Sequence, residues 1–217
     1  IPYDKRIYSI EDSRELNLQV KDENGKILNR VIHTKTRPSQ NTAQNVSADV
    51  LLKKSLRFDP QIIVPAEMRG EEAMTAQEAG RTGHTIITSL HASTALAAYT
   101  RILTMCMMSG TKLSEELMLK LIIEAYPIMA FKMQLPDKSR KYMKIIEAED
   151  YRDGEIIYRT LYKYVITDRI MNKDGTQIDK MVGYLKKVSN ISSRLANILL
   201  ENGADLQTIH RFAGENW

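Results

Sequence analysis

The sequence predicts an α/β protein in which a parallel sheet is followed by an antiparallel one, and three observations favour this class. Residues 61–64 (QIIV) form a short apolar run bounded by prolines, which is typical of a buried strand in a parallel sheet. Residues 71–81 have the composition of a helix, and residues 85–90 (TIITSL) form a second β-branched strand. After residue 141, three strand-like runs separated by Asp-Gly turns predict an antiparallel meander.

Composition limits the classes of protein that remain. With 43% apolar residues among 217, the chain is long and apolar enough to bury a substantial core. The net charge of +4 is mild, indicates a solvated mixed surface, and does not by itself call for nucleic acid or a membrane. The single cysteine, Cys106, allows no disulfide framework and favours a reducing compartment. The most apolar window, residues 117–133, is interrupted by charges and a proline and is shorter than the ~20 residues of a membrane span.

Two polar residues follow the strands of the central strand–helix–strand unit. Glu67 comes shortly after residues 61–64, and His91 directly follows residues 85–90. Because two strands joined by a helix are parallel, both residues are expected at the same edge of the sheet, where open α/β sheets bind ligands. Glu67 has two interpretations: it pairs with Arg69 or caps the next helix, or it orients water and holds Mg²⁺ through water.

The segment before this unit predicts a strand, a hairpin and an extended loop. A strand over residues 6–10 ends in Glu11 and Asp12, and the spacing from Asp12 to Glu15 is that of a capping box. A turn at residues 23–25 predicts a hairpin within residues 18–31. Arg37 precedes a proline, so it is expected to project from an extended loop. A helix over residues 47–56 is predicted, with Ser47 as its N-cap and Val50 and Leu51 on its buried face.

The second half predicts helices and strands without a catalytic pattern. Ser93 or Thr94 begins a helix to about residue 108, and Ser114 begins another. The meander strands are residues 143–148, 156–166 and 181–185, followed by a helix capped by Ser189 or Ser192 and a last helix from residue 205. A local basic cluster is interpreted as a solvated face, with an acidic membrane surface or partner as the alternative; it comprises Lys138, Arg140, Lys141 and Lys144.

Four segments resemble motifs of one family, in the family's order. IYSIEDSREL (residues 7–16) resembles the Asp box, TRPSQ (36–40) an arginine-bearing segment, DPQIIVPAEMRGEEA (59–73) the Walker B box, and GHTIITSLHA (83–92) the His box of the type II/type IV secretion ATPases. The tight-adherence pilus and conjugation branch is the most similar. One departure is Ala66, where the family usually has glycine.

This resemblance implies a fold and a set of roles. Residues 1–110 are expected to form the C-terminal part of a RecA-like P-loop NTPase core that binds ATP and Mg²⁺, and residues 111–217 a helical and β-meander module. Glu67 is expected to position the attacking water, and Mg²⁺ to be held through water at Glu67 and Glu11. The acids expected to assist are Glu11, Asp12 and Glu15, of which Glu11 and Glu15 are favoured.

The resemblance also implies roles for basic residues. His91 is expected to sense the γ-phosphate, whereas His84, at the far edge of the sheet, is expected to be structural or to face another subunit. Arg37 is expected to stabilise phosphate charge in its own or the neighbouring subunit, and Arg69 to bind nucleotide. Arg57 is a weaker candidate for this role, together with Arg30.

At the level of the whole protein, the resemblance implies a homo-hexamer that hydrolyses ATP to power type II/type IV secretion, pilus assembly or conjugative transfer. It is expected in the cytoplasm at the inner face of the membrane, acting on an inner-membrane secretion or pilus platform protein, without sequence-specific nucleic-acid binding. The sequence contains no G-x-x-x-x-G-K-[ST] phosphate loop, which in the family precedes the Asp box. We therefore expect a C-terminal portion of a longer protein, inactive by itself.

Two alternative functions remain, and a third is excluded. A non-catalytic scaffold derived from the ATPase fold is the main alternative function, and nucleic-acid binding would rest on the mild basicity alone. A metallohydrolase using Glu67, His84 and His91 is excluded because an extended strand separates the two histidines by about 20 Å. One metal ion with ligand bonds of about 2.1 Å does not bridge that distance.

Overall fold

The computed structural model describes residues 4–215 and residue 217, and its contacts divide the chain into two compact units. The first is Ile1–Ala92 with Ala98–Tyr126, and the second is Ser93–Ala97 with Pro127–Trp217. The observed division falls after Tyr126, whereas the predicted one falls after residue 110. The reason is that the helix before Tyr126 packs within the first unit, where a Cβ on Gly80 would lie 3.3 Å from the Cβ of Ala125.

The first unit contains a four-stranded sheet in which every neighbouring pair is parallel. Its strands are β1 (Arg6–Glu11), β2 (Arg30–Lys35), β3 (Ile62–Pro65) and β4 (Thr85–Ile86), in the spatial order β2-β1-β3-β4. All four residues of β3 are buried, as its continuous apolar run predicts. The parallel sheet is therefore confirmed, and the carboxyl ends of its strands share one edge.

β4 is shorter than the predicted strand over residues 85–90. Ile63 O accepts a hydrogen bond from the N–H of Ile87 at 3.1 Å, and Gln61 O accepts one from Thr85. The next bond in this alternation requires an N–H at residue 65, which Pro65 lacks. The chain beyond Ile87 is instead held by the N–H of Met68, which donates to Ser89 O at 2.9 Å.

In the connection between β1 and β2, the predicted hairpin is limited to a single pair of bridged residues. Lys21 and Ile27 form one isolated antiparallel bridge, and Gly25 has φ +80°. That left-handed conformation is the one for which the Asn-Gly pair is favoured in turns. After β2, Arg37 and Val46 form a second isolated bridge. These short pairings fix the loop that leads from the sheet edge to the first helix.

Two helices lie between strands of this sheet in the chain, α1 (Ala48–Ser55) and α2 (Glu72–Arg81). Two more follow β4: α3 (Ala95–Met107) and α4 (Glu115–Ala125). The Ser47, Thr94 and Ser114 hydroxyls accept N–H groups in the first turns of α1, α3 and α4. The predicted buried face of α1 was wrong for Val50, which is 40% exposed; Leu51 is half-buried, and Leu52 is the fully buried residue. None of the helices that the structure describes is long and apolar enough to cross a membrane.

The second unit contains an antiparallel sheet of four strands in sequence order: β5 (Ile128–Gln134), β6 (Arg140–Arg152), β7 (Glu155–Met171) and β8 (Ile178–Lys187). The predicted meander is confirmed, although β5 was not predicted because it lies within the apolar window that begins in α4. Asp153 and Gly154 join β6 to β7 with φ of 52° and 83°. This is the conformation that suits tight hairpins.

Two helices, α5 (Ser193–Glu201) and α6 (Leu206–Ala213), cover one face of this sheet. The core between them is apolar and consists of Leu161, Ile191, Leu195, Ala196, Ile209 and Ala213. A buried carboxylate lies at the same interface, because Glu147 of β6 accepts hydrogen bonds from the backbone N–H and the hydroxyl of Ser192. Ser192 in turn caps α5, since its Oγ accepts the N–H of Leu195.

Candidate functional site

A cavity of about 380 Å³ opens at the edge of the parallel sheet where the strands end. Its polar lining comes from the carboxyl ends of the four strands and the segments that follow them, and consists of Glu11, Asp12, Ser13, Glu15, Thr36, Glu67, Arg69 and Ser89. A second groove of about 560 Å³ continues from it past Pro38 and the first turn of α1. The edge that the sequence predicts as the ligand site is therefore concave and lined by carboxylates.

Glu67 lies at the centre of this edge, two residues after the buried strand β3. One carboxylate oxygen, Oε1, is 3.3 Å from Nε2 of His91, and the other, Oε2, is 3.7 Å from Nε of Arg69. The Glu67 side chain is 33% exposed, whereas the His91 side chain is 94% exposed. The structure thus brings together the two residues that strand order alone had placed at one edge, and it leaves the imidazole accessible to a ligand.

The alternative in which Glu67 caps α2 does not match its contacts. Glu72 takes that role, because its Oε1 accepts the N–H groups of Arg69 at 2.6 Å and of Gly70 at 2.9 Å. The segment after β3 therefore folds back on the first turn of α2, where a carboxylate also matches the positive end of the helix dipole. Glu67 remains directed at the cavity.

Arg69 links the acids of two strands. Its guanidinium forms an ion pair with Asp12, at the end of β1, and approaches Glu67, at the end of β3. The other oxygen of Asp12 accepts a hydrogen bond of 2.7 Å from the Thr36 hydroxyl, beyond β2. Both Arg69 and Asp12 are more than half exposed, so this pair contributes little to stability and is free to exchange partners.

Glu11, the last residue of β1, is a buried carboxylate that accepts several hydrogen bonds. Its side chain is only 2% exposed, and Oε2 accepts the N–H groups of Glu15 and Leu16, both at 2.8 Å. Burial raises the pKa of Glu11, but hydrogen bonds from Leu16, Glu15, Ser9 and His33 outweigh it, so the pKa is lowered overall. These contacts give Glu11 a role in positioning the loop that contains Asp12 and Glu15, and its association with Mg²⁺ through water stays a prediction.

Ser9 and His33 support Glu11 and were not predicted. The Ser9 hydroxyl donates to Oε1 of Glu11 at 3.1 Å, and Nδ1 of His33 is 3.0 Å from Ser9 Oγ. Because the serine has one proton, the consistent arrangement has His33 Nδ1–H donating to Ser9. Within the described residues, the buried Nε2 of His33 has no partner. The available signal was the spacing of Ser9 and Glu11, two residues apart on one face of β1.

The remaining predicted residues are distributed over both edges of the sheet. Glu15 is exposed and lines the cavity. Arg37 is exposed, and its Nε donates to the carbonyl of Gln44 at 3.2 Å, outside both grooves. Arg57 lies two residues before Asp59, which pairs with Arg6 at the start of β1, so Arg57 lies at the opposite edge of the sheet. His84 also precedes its strand, and its Nδ1 is 3.3 Å from Ala79 O.

A scan against protein families matches the chain, over residues 1–144, with the family described as type II/IV secretion system protein. Type IV secretion system protein PtlH of Bordetella pertussis is 38% identical over 108 residues, which are 49% of this chain and 30% of PtlH. Conjugal transfer protein TrbB of Rhizobium radiobacter is 31% identical over 117 residues, which are 54% of this chain and 35% of TrbB. The chain thus matches about a third of the length of these relatives.

A search of solved structures finds the crystal structure of the VirB11 ATPase from the Brucella suis type IV secretion system, in complex with sulphate. The TM-score is 0.54 with 27% identity, over 67% of this chain and 40% of that one. The similarity supports the RecA-like α/β fold that the four sequence motifs implied. The family match covers well over half of the chain and includes every element that contributes to the cavity. The chain therefore belongs to the type II/IV secretion system protein family.

Proposed function

We propose that this chain contributes the water-activating edge of an ATPase that powers type II/type IV secretion, pilus assembly or conjugative transfer. The observation that supports the proposal most directly is the position of Glu67. It follows the buried strand β3, lines the cavity, and lies between His91 and Arg69. A half-buried carboxylate with an accessible imidazole beside it suits the orientation of a water molecule for attack on phosphorus.

Four residues at this edge of the sheet have distinct roles in this proposal. Glu67 orients the attacking water and accepts its proton. His91, which is exposed beside Glu67, donates a hydrogen bond to a γ-phosphate oxygen. Arg69 leaves Asp12 to pair with phosphate when nucleotide binds, because an exposed ion pair is weak enough to be exchanged. Glu11 keeps the loop that contains Asp12 and Glu15 at the edge of the cavity.

The donor set of the cavity fits magnesium bound through water. Asp12, Glu15 and Glu67 present carboxylate oxygens, which are the ligands that this hard cation prefers. Among the residues that the structure describes, no three His, Cys, Asp or Glu side chains are grouped closely enough to hold a metal by themselves. Mg²⁺ in such sites is coordinated largely by water and substrate phosphates, and when bound it neutralises charge on the β- and γ-phosphates.

Tight nucleotide binding also requires a phosphate cradle, and the 217 residues contain no G-x-x-x-x-G-K-[ST] segment. The isolated chain is therefore expected to bind ATP weakly and to hydrolyse it far more slowly than motor ATPases do. Turnover by residues 1–217 at about 1 s⁻¹ or faster, within the ordinary range of enzymes, would contradict this expectation.

We further propose that the active form is a homo-hexamer at the cytoplasmic face of the inner membrane, acting on an inner-membrane platform protein. The placement of Arg37 supports a site shared between subunits. Its guanidinium is exposed and directed to the Gln44 carbonyl outside its own cavity, so a phosphate in a neighbouring subunit is its expected partner. An arginine supplied in this way stabilises the charge that develops during phosphoryl transfer.

The decisive experiment uses the protein encoded by the complete reading frame that contains these residues. Glu67→Gln is expected to lower kcat for Mg²⁺-dependent ATP hydrolysis by about 100-fold or more, because a positioned base contributes that much. Glu78→Gln is the matched control, since Glu78 is exposed on α2 outside the cavity, and it should retain full activity. Wild-type kcat in Glu67→Gln, or a reading frame without a phosphate-binding lysine loop, would favour the scaffold alternative.

A mixing experiment tests the shared site. Arg37→Ala and Glu67→Gln proteins are each expected to be inactive, and their mixture should recover activity, because the intact Arg37 of one subunit would complete the intact Glu67 site of the next. A mixture that remains as inactive as its components would place Arg37 at its own subunit's site or outside catalysis.

A further inference from the structure

Three lysines form a row across the antiparallel sheet of the second unit. Lys144 of β6 is directly opposite Lys163 of β7, and Lys163 is directly opposite Lys186 of β8. Residues opposite one another in antiparallel strands share a face, with Cβ atoms about 4.5–5.5 Å apart. The lysine row therefore places three positive charges side by side, and Phe131 of β5, opposite Lys144, continues it as an apolar residue.

This arrangement is unfavourable in the absence of an anion, since like charges directly opposite one another destabilise a sheet. Within the described residues, none of the three lysines forms an ion pair with Asp or Glu. The acids further along β6, Glu147 and Glu149, are both engaged by Arg159. Lys144 alone has a compensating contact, because its Nζ lies 4.8 Å from the centre of the Tyr158 ring.

The lysine row borders a groove of about 560 Å³ that is formed wholly within the second unit. Lys144 and Lys163 line it, and Thr94 and Thr160 are further polar residues of its wall. Most of the remaining lining is apolar and comprises Ala95, Leu96, Phe131, Met143, Tyr164 and Val188. The groove thus combines adjacent positive charges with a predominantly apolar wall.

We propose that this groove binds an acidic peptide segment of a partner protein in which carboxylate and apolar side chains alternate. The carboxylates would pair with the lysine row, and the apolar side chains would occupy the wall formed by Leu96, Phe131 and Val188. Charge complementarity gives such a contact its specificity and burial of apolar side chains adds affinity. The inference does not depend on the ATPase proposal, because the groove and the cavity beside Glu67 share no residue.

Two other classes of polyanion fit these observations less well. Single-stranded nucleic acid needs several open aromatic faces for base stacking. Of the two aromatic residues that line the groove, Tyr164 is only 9% exposed, and the neighbouring Tyr158 ring already contacts Lys144. A flat bilayer surface reaches protruding groups, whereas Lys144 is half-buried beside a concave wall. An extended acidic peptide is narrow enough to enter the groove and supplies both kinds of side chain.

The test measures fluorescence anisotropy of a labelled Glu-Leu-Glu-Leu-Glu-Leu-Glu peptide with the full chain at about 50 mM salt, where screening is modest. A peptide with Gln in place of every Glu is expected to bind about 10-fold more weakly. Replacing Lys144, Lys163 and Lys186 together with Ala is expected to weaken binding of the Glu peptide by about 10-fold or more. The matched control replaces the exposed Lys138, Lys173 and Lys180, which removes the same charge and should leave affinity within about two-fold.

Two outcomes would overturn the proposal. Equal loss in the control variant would mean that net charge, and not the row, attracts the peptide. Tighter lysine-dependent binding of oligo-dT, or of vesicles containing phosphatidylglycerol, would assign the row to nucleic acid or to a membrane. Far-ultraviolet circular dichroism verifies that the triple variant is folded, and if it is not, Lys163→Gln alone should still weaken peptide binding about three-fold.

Discussion

Each unit of this protein has a buried glutamate that accepts hydrogen bonds from a segment outside its own strand. The two glutamates differ in how far along the chain their partners lie. Glu11, at the end of β1, holds the N–H groups of residues only four and five positions further along the chain. Glu147, within β6, holds the N–H and hydroxyl of Ser192, 45 residues away. Glu11 is 3% exposed and Glu147 is fully buried.

The two glutamates have different effects on their sheets. In the parallel unit, the buried carboxylate shapes a loop at the strand ends, so its effect is on the position of Asp12 and Glu15 beside the cavity. In the antiparallel unit, the buried carboxylate fixes the start of α5 on the sheet, so its effect is on the stability of the core. Parallel sheets concentrate polar chemistry at one edge, whereas a meander presents a covered face and an open one.

The largest expected effect is on the second unit. Glu147→Ala should lower the free energy of unfolding by about 3 kcal/mol, because the buried N–H and hydroxyl of Ser192 lose their acceptor. Urea unfolding followed by the fluorescence of Trp217, the sole tryptophan, which packs against the core of this unit, measures it.

Glu149→Ala is the control, since Glu149 pairs with the same arginine but its side chain is 29% exposed. Its loss should cost about 1 kcal/mol or less. Equal destabilisation by both substitutions would show that the Arg159 ion pairs, and not the cap on α5, hold this interface together.

A smaller and pH-dependent effect is expected in the first unit. The pKa of Glu11 is lowered in the folded protein, so its contribution to stability is present above the unfolded value of about 4.3 and is lost as the pH falls through the folded value. Protection of the Glu15 and Leu16 amides from hydrogen exchange should therefore decrease as the pH is lowered below about 5. Glu11→Gln should lower the free energy of opening at these two amides by about 1–2 kcal/mol, even at pH 7.

Glu15→Gln is the control for this measurement, because the Glu15 side chain is exposed and only its backbone N–H contacts Glu11. It should leave the exchange profile unchanged. An unaltered profile in Glu11→Gln would mean that the loop is held by other contacts and that Glu11 is free for another role.

Ser9→Ala should produce a still smaller change, about 1 kcal/mol, since Glu11 would lose one neutral hydrogen bond and keep both backbone donors. Comparing the chemical shifts of the His33 ring in wild type and variant shows whether the imidazole turns towards Glu11. An effect as large as that of Glu11→Gln would show that the serine and histidine, more than the loop amides, maintain the carboxylate.

The smallest effect is expected on the open face of the second sheet. Lys163→Gln should raise the free energy of unfolding by a few tenths of a kcal/mol, because it removes the middle charge of the lysine row. Lys173→Gln, at the turn after β7, should be neutral, and the same urea measurement compares them. A destabilised Lys163→Gln protein would mean that the lysine stem packs favourably enough to outweigh the repulsion.

Much of the edge at Glu67 was predictable because it depends on chain order alone. Two apolar runs joined by a helix require parallel strands, so Glu67 and His91 had to meet, and the turn residues at Asp153–Gly154 required a hairpin. The part that Glu11 plays in supporting a loop was not predictable. The identity of an acid does not reveal how many N–H groups surround it.

Sequence patterns were enough to predict the order of the strands along the chain, the helix caps at Ser47 and Ser114, and the family to which the motifs belong. The folded structure was needed to show which carboxylates already accept hydrogen bonds, that Arg57 lies at the edge away from Glu67, and that three lysines distant in sequence are neighbours. Periodicity and capping depend on residues that are close in sequence, whereas burial and cross-strand register depend on which segments pack together.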